Sequence, residues 1–174
     1  SAVGVLKDSF RKNYSQAFIT GLKYWGVELD PFLRKEENRW VNSAVIHEMR
    51  FLNRLLIEID SGRSVDSLKG RINMYGNTVK SAYHAGVVAG AHPDVIIEWR
   101  VNKLAENCGD CLNLEKYGPY TKDNLPSTPK AGATRCLSNC KCTLIIRKVE
   151  KSEVLRVRNN NLKPRTVMRK LRRV

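Results

Sequence analysis

The chain has 174 residues, 42% of them hydrophobic and 28% charged, enough to bury a core and too apolar for disorder throughout. It has no stretch of about 18 uncharged apolar residues, which excludes an ordinary membrane-spanning helix, and Lys7 and Asp8 fall where an export signal needs an apolar run. Thirty-one Lys and Arg against 17 Asp and Glu leave a net charge of +14, an excess that favours polyanions or acidic protein surfaces as partners.

The first half reads as helical. Leu6, Phe10, Tyr14, Phe18, Leu22 and Trp25 recur at three- and four-residue spacing, one apolar stripe of an amphipathic helix that Gly26 would stop. Asp30-Pro31 then offers a helix entrance, with Asp accepting orphan N–H groups and Pro at the first helical position. The period continues through Leu33, Trp40, Val41, Val45, Met49, Leu52, Leu55 and Ile59 to a stop at Ser61-Gly62. A third helix is expected from about Ser64 through Tyr75, Val79, Ala82 and Val87. It carries Gly70, Gly76 and Gly86, each costing up to about 1 kcal/mol in an exposed helix interior. Those glycines call for close helix packing or a break near Gly76.

At His92-Pro93-Asp94 the period changes. Val95, Ile96, Ile97, Trp99 and Val101 form one β-prone run, and Thr143 to Ile146 with Val149 form another. An antiparallel pair is the simplest arrangement. The segment between holds Gly118, Pro119, Pro126, Pro129 and Gly132, so residues 116–134 read as an irregular but ordered loop. Beyond Val149, an Asn159-Asn160-Asn161 spacer leads to Pro164 and a short basic helix over Arg165–Arg173. Residues 151–174 carry nine Lys or Arg against one Glu. The expected architecture is α+β: a helical region over 1–92, a zinc-bound β unit over 93–149 and a basic tail over 150–174.

All five cysteines lie between Cys108 and Cys142. An odd, clustered count argues for metal binding over a disulfide framework. Cys108-Gly109-Asp110-Cys111 lets two thiolates turn toward one ion. Cys136-x-x-x-Cys140-x-Cys142 follows from a distant segment. Zn²⁺ takes four ligands in a tetrahedron, and soft thiolates select it over Mg²⁺ or Ca²⁺. The expected ligands are Cys108, Cys111, Cys136 and Cys140. Cys142 is an alternative to Cys140 or, at the start of the apolar strand, a small core hydrophobe.

No catalytic constellation is apparent. A full thiolate set closes the metal site, whereas a catalytic zinc keeps a position open beside a general base. Glu106, Asp110 and Glu115 do not form a His-x-Glu pattern, and His47, His84 and His92 are scattered. No phosphate-cradling glycine loop or nucleophile elbow is present. A non-enzymatic role is expected.

Trp99, the Cys108-x-x-Cys111-x-x-Leu114 element, the Pro-bearing loop and the closure Ser138-Asn139-Cys140-Lys141-Cys142 leading into Thr143-Leu144 together resemble the minor head (head morphogenesis) proteins of Mu-like tailed bacteriophages. That signature has a Trp before a C-x-x-C and a His-Pro-Asn-Cys-Arg-Cys closure entering a strand. The resemblance spans roughly residues 65–149. It departs at Leu137, where the family has His; Cys136 would supply the missing ligand, as in phage structural proteins with an Arg-Cys-x-Ser-Asn-Cys closure, here Arg135 to Cys140.

The resemblance implies a low-copy component of the virion head, associated with the portal or the major capsid protein and acting in head assembly or DNA packaging and ejection. Such a protein resides in the virion, and in the host cytoplasm during assembly. Lys163, Arg165, Arg169, Lys170, Arg172 and Arg173 would then meet packaged DNA or an acidic protein face. The rival reading is a nucleic-acid-binding zinc module or regulator. Against it, aromatics are only 7% and no Trp stands in the tail as a stacking platform.

Overall fold

A computed structural model describes residues 2–160 of the chain. In order, the elements are α1 (Ala2–Lys23), α2 (Pro31–Asp60), α3 (Val65–Ala89), β1 (Val95–Arg100), α4 (Gly109–Tyr117), a single 3-10 turn at Leu137–Asn139, β2 (Thr143–Lys148) and α5 (Lys151–Asn160). They form two compact units, one ending at Gly90 and the other starting at Ala91. The class is α+β, as expected.

The first unit is a three-helix assembly. Tyr14, Phe18 and Leu22 of the α1 stripe are all buried, Tyr14 with Val41, Val45 and Ala82, Phe18 and Leu22 with Leu33 and Ala85. A chain turn at Gly26, with φ +67°, follows α1. Trp25 is anchored by its indole N–H, which donates to the Val87 carbonyl at 2.9 Å. Asp30 caps α2, its Oδ1 accepting from the Leu33 N–H at 2.7 Å with Pro31 at the helix entrance, an interaction worth about 1 kcal/mol.

Helix α3 runs unbroken through Gly76, where an added Cβ would meet nothing within 4 Å. The close packing lies instead at Gly86: a Cβ there would fall 1.9 Å from the Phe18 carbonyl oxygen, and one on Gly21 would fall 2.2 Å from that of Tyr83. The two glycines bring the α1 and α3 backbones together where any side chain would hold them apart.

In the second unit, β1 and β2 pair antiparallel, from Val95↔Lys148 to Arg100↔Thr143. Val95, Ile96, Ile97 and Trp99 are buried, so both faces of β1 are covered. Tyr120 closes the other edge of β1 through backbone bonds to Ile97, and its hydroxyl donates to the Leu114 carbonyl at 2.8 Å. The Pro-bearing loop is thereby fastened to the sheet at one point.

Two helices differ from the sequence reading. Residues 109–117, to which the sequence reading assigned no helix and whose last two it placed in the irregular loop, form α4, which buries Cys111 and Leu114. Residues 150–174 read as a basic tail, yet Lys151–Asn160 is α5, with Asn159 and Asn160 in its last turn rather than in a spacer. Val154 and Val157 of α5 are buried on Ile96 of β1, with Val149 beside them. Two apolar residues three apart suffice to dock a short helix, and the surrounding charges conceal them in composition. The basic helix expected over Arg165–Arg173, with Lys163, lies outside the described residues.

Candidate metal centre

Cys108 takes the N-cap position of α4 in extended conformation (φ −70°, ψ 154°), and Cys111 follows one turn later. That geometry turns both sulfurs to one side and aims helix N-terminal amides at the first, an arrangement that favours thiolate. The second segment folds back tightly. The Leu137 N–H donates to the Thr134 carbonyl at 2.8 Å and the Asn139 N–H to the Cys136 carbonyl at 3.0 Å. Leu137 sits in the left-handed region at φ +50°, which reverses the chain between Cys136 and Cys140. Lys130 holds the far side by donating its ammonium to the Cys140 carbonyl.

The two segments converge. Cys136 Sγ lies 3.6 Å from Cys108 Sγ and 3.5 Å from Cys111 Sγ, and Cys111 Sγ lies 3.6 Å from Cys140 Sγ. Cys108, Cys111 and Cys136 have their sulfurs within 4.8 Å of one another, and so do Cys111, Cys140 and Cys142. All five cysteines are free. Four sulfurs at about 2.3 Å from a tetrahedral ion would stand about 3.8 Å apart, whereas a disulfide needs about 2.05 Å. Cys140 does not lie within 4.8 Å of both Cys108 and Cys136, so the four expected sulfurs do not form one mutually close set. Three contacts among the expected ligands are nonetheless close to the tetrahedral spacing. The cluster can therefore hold a metal ion. Cys111 belongs to both triads and is its hub.

The proton distribution follows from this crowding. Burial works to raise Cys108, but the backbone N–H groups of Cys111 and Cys136 and the neighbouring thiols outweigh it and lower it. Hydrogen bonding from the Cys111 thiol, ahead of opposing burial, brings Cys140 down to about 5. Cys111 is pushed far up by the Cys140 sulfur and by burial. Burial raises Cys136 and Cys142 to about 11 each. Cys140, and in the same direction Cys108, are thereby the readier thiolates, and the raised thiols around them hold protons that a soft cation would replace.

Two neighbours support the sulfurs. Asp110, between the first two cysteines, is buried, and its Oδ2 accepts from the Arg135 N–H at 2.8 Å. The Arg135 guanidinium lies 3.5 Å from Oδ1. Trp99, 1% exposed, lies near enough to work to lower the Cys142 thiol against the larger effect of burial, although its indole nitrogen makes no hydrogen bond among the described residues. In sequence Asp110 stands out only as one of three acids outside any His-x-Glu pattern. Its position inside the C-x-x-C, facing an Arg next to the third cysteine, was the available sign of its bracing role.

The remaining candidates are elsewhere. His47 and His84 belong to the helical unit, and His92 is exposed and engages Asp94. Glu115 accepts from the Val101 N–H at 3.0 Å, which serves the chain path rather than the sulfurs. Among the described residues, no helix is long and apolar enough to cross a membrane.

The chain matches no family model, no curated protein and no solved structure. The metal-binding capacity of the cysteine cluster is what the geometry itself establishes.

Proposed function

We propose that the chain is a structural component of a tailed-phage head, a minor head protein whose cysteine cluster holds a structural Zn²⁺. The observation that carries the reading is the convergence of the Cys108-x-x-Cys111 and Cys136-to-Cys142 segments, the same two elements that resemble the head-morphogenesis signature. Cys108, Cys111, Cys136 and Cys140 would hold the ion, with Cys142 able to replace Cys140. Bound there, zinc supplies a crosslink and no open coordination position for chemistry.

The chain's own residues do the rest. Asp110 holds the Cys136 arm against α4, Tyr120 pins the loop to β1, and α5 covers Ile96. A rigid unit of this kind suits a small part that docks on a larger assembly. The net charge of +14 would place it against packaged DNA or an acidic face of the portal or capsid, in a salt-dependent manner.

The test is metal content together with sedimentation of protein from its native source. Stoichiometric zinc and co-sedimentation with head particles or a portal ring support the proposal. A small species that binds short duplexes selectively at nanomolar affinity in 0.2 M salt would favour the nucleic-acid-binding zinc module instead.

A further inference from the structure

Ile97 exchanges two backbone bonds with Tyr120: each N–H donates to the other's carbonyl at 2.7 Å. In an antiparallel strand successive residues direct these groups to opposite edges. Val95, Ile97 and Trp99 therefore face the Tyr120 side, and Ile96, Glu98 and Arg100 face β2. Their partners by register are Arg147, Ile145 and Thr143, and the 2.9 Å bond from the Val149 N–H to the Asp94 carbonyl continues the same alternation. The N–H and C=O groups of Leu144, Ile146 and Lys148 consequently point away from β1. Among the described residues no strand and no backbone hydrogen bond meets them.

Natural sheets blunt such edges with bulges, prolines or charged side chains, lysine above all; on β2 the charges, Arg147 and Lys148, stand only at one end. This one has an unbroken six-residue register and carries Leu144, Ile145 and Ile146 in a row, with Ile145 40% exposed. Exposed cations outnumber exposed acids beside it, where Glu150 stands between Lys148 and Lys151. Lys141, Lys148 and Lys151 are exposed, and among the described residues none of them forms an ion pair. A second copy, itself at +14, is repelled from such an edge.

We infer that the outer edge of β2 receives an extended, acidic segment of a partner protein as a third strand. Main-chain bonds to Leu144, Ile146 and Lys148 give the affinity, and side-chain alternation gives the specificity. Apolar residues at the centre of the segment would pack beside Ile145 or beside Leu144 and Ile146, and carboxylates at its ends would meet Lys141 and Lys148. The inference uses backbone geometry and charge, and it does not rest on the proposed virion role.

The test is amide hydrogen exchange on the full chain with a short synthetic peptide of alternating valine and threonine, bearing glutamates at both ends. Exchange at Leu144, Ile146 and Lys148 should slow by about tenfold, while Thr143, Ile145 and Arg147, already bonded to β1, change little. A peptide with lysines in place of the glutamates should give no slowing. Ile146→Pro should abolish the effect, because it removes an outward donor and leaves the ladder to β1 intact. Retained slow exchange at Ile96 and Glu98 would confirm that the pair has formed. The double variant Lys141→Glu, Lys148→Glu, which alters no backbone group, should weaken binding as well. The inference is overturned if the three outward amides already exchange slowly in the free chain, or if both peptides protect them equally. Protection that appears with protein concentration alone, or with duplex DNA, would also overturn it.

Discussion

The Asp110 carboxylate accepts a hydrogen bond from the backbone N–H of Arg135 at 2.8 Å, so the residue between the first two cysteines grips the residue immediately before the third. Both segments can then approach one ion without the metal having to order the whole loop. Asp110→Ala should leave a part-buried N–H unpaired and let the Cys136 arm drift, weakening metal affinity by about 10- to 100-fold. Competition with a chromophoric chelator measures this directly. Unchanged affinity would mean that the cysteines alone set the geometry.

Under the proposed zinc reading five thiols are available for four positions, and single substitutions separate them. Cys108→Ser and Cys111→Ser should release the ion and loosen residues 108–142 while helical circular dichroism from the first unit persists. Cys142→Ser should keep full metal stoichiometry if Cys140 is the fourth ligand. Loss of metal in Cys142→Ser with retention in Cys140→Ser would assign the fourth position to Cys142.

Close approach and open space predict opposite outcomes for two glycines of one helix. Gly86→Ala would drive a methyl into the Phe18 carbonyl and should destabilise the helical unit by about 1–3 kcal/mol or more. Gly76→Ala meets nothing and should stabilise it by about 0.5–1 kcal/mol. Urea denaturation of the two variants checks both signs.

Glu48 is buried in the first unit, with the Thr78 hydroxyl donating to its Oε1 at 2.8 Å. Burial, only partly offset by Thr78, raises its pKa above the usual 4.5. A carboxyl whose folded pKa is raised favours the folded state below its unfolded pKa, and that contribution is lost as pH rises through the folded pKa. Glu48→Gln, which keeps an acceptor for Thr78, should therefore raise the melting temperature at pH 7. The gain should vanish below about pH 4, where the wild-type carboxyl is protonated in both states. A gain that persists at low pH would trace it to packing instead of ionisation.

The helical half was legible because its signals are local and redundant. The stripe from Leu6 to Trp25, the Asp30-Pro31 entrance and the Ser61-Gly62 stop each reach the structure with boundaries shifted by a few residues at most. The strand pair was legible from two β-prone runs on either side of the cysteines. Helices α4 and α5 were not, because each is short and exposes a polar face: α4 is begun by a cysteine without a side-chain cap, and α5 buries only Val154 and Val157. Tertiary contact with β1 decides both. Cysteine spacing foretold that two segments meet. It could not foretell that all five sulfurs join one cluster around Cys111, because that depends on the reversal at Leu137. The bracing by Asp110 likewise depends on distance in space between residues 25 positions apart.

The most direct measurement of the central claim is elemental analysis joined to X-ray absorption spectroscopy on protein purified without added metal. One zinc per chain, surrounded by four sulfurs at about 2.3 Å, is the expected result. Absence of a stoichiometric ion, or recovery of the cysteines as disulfides, would contradict it.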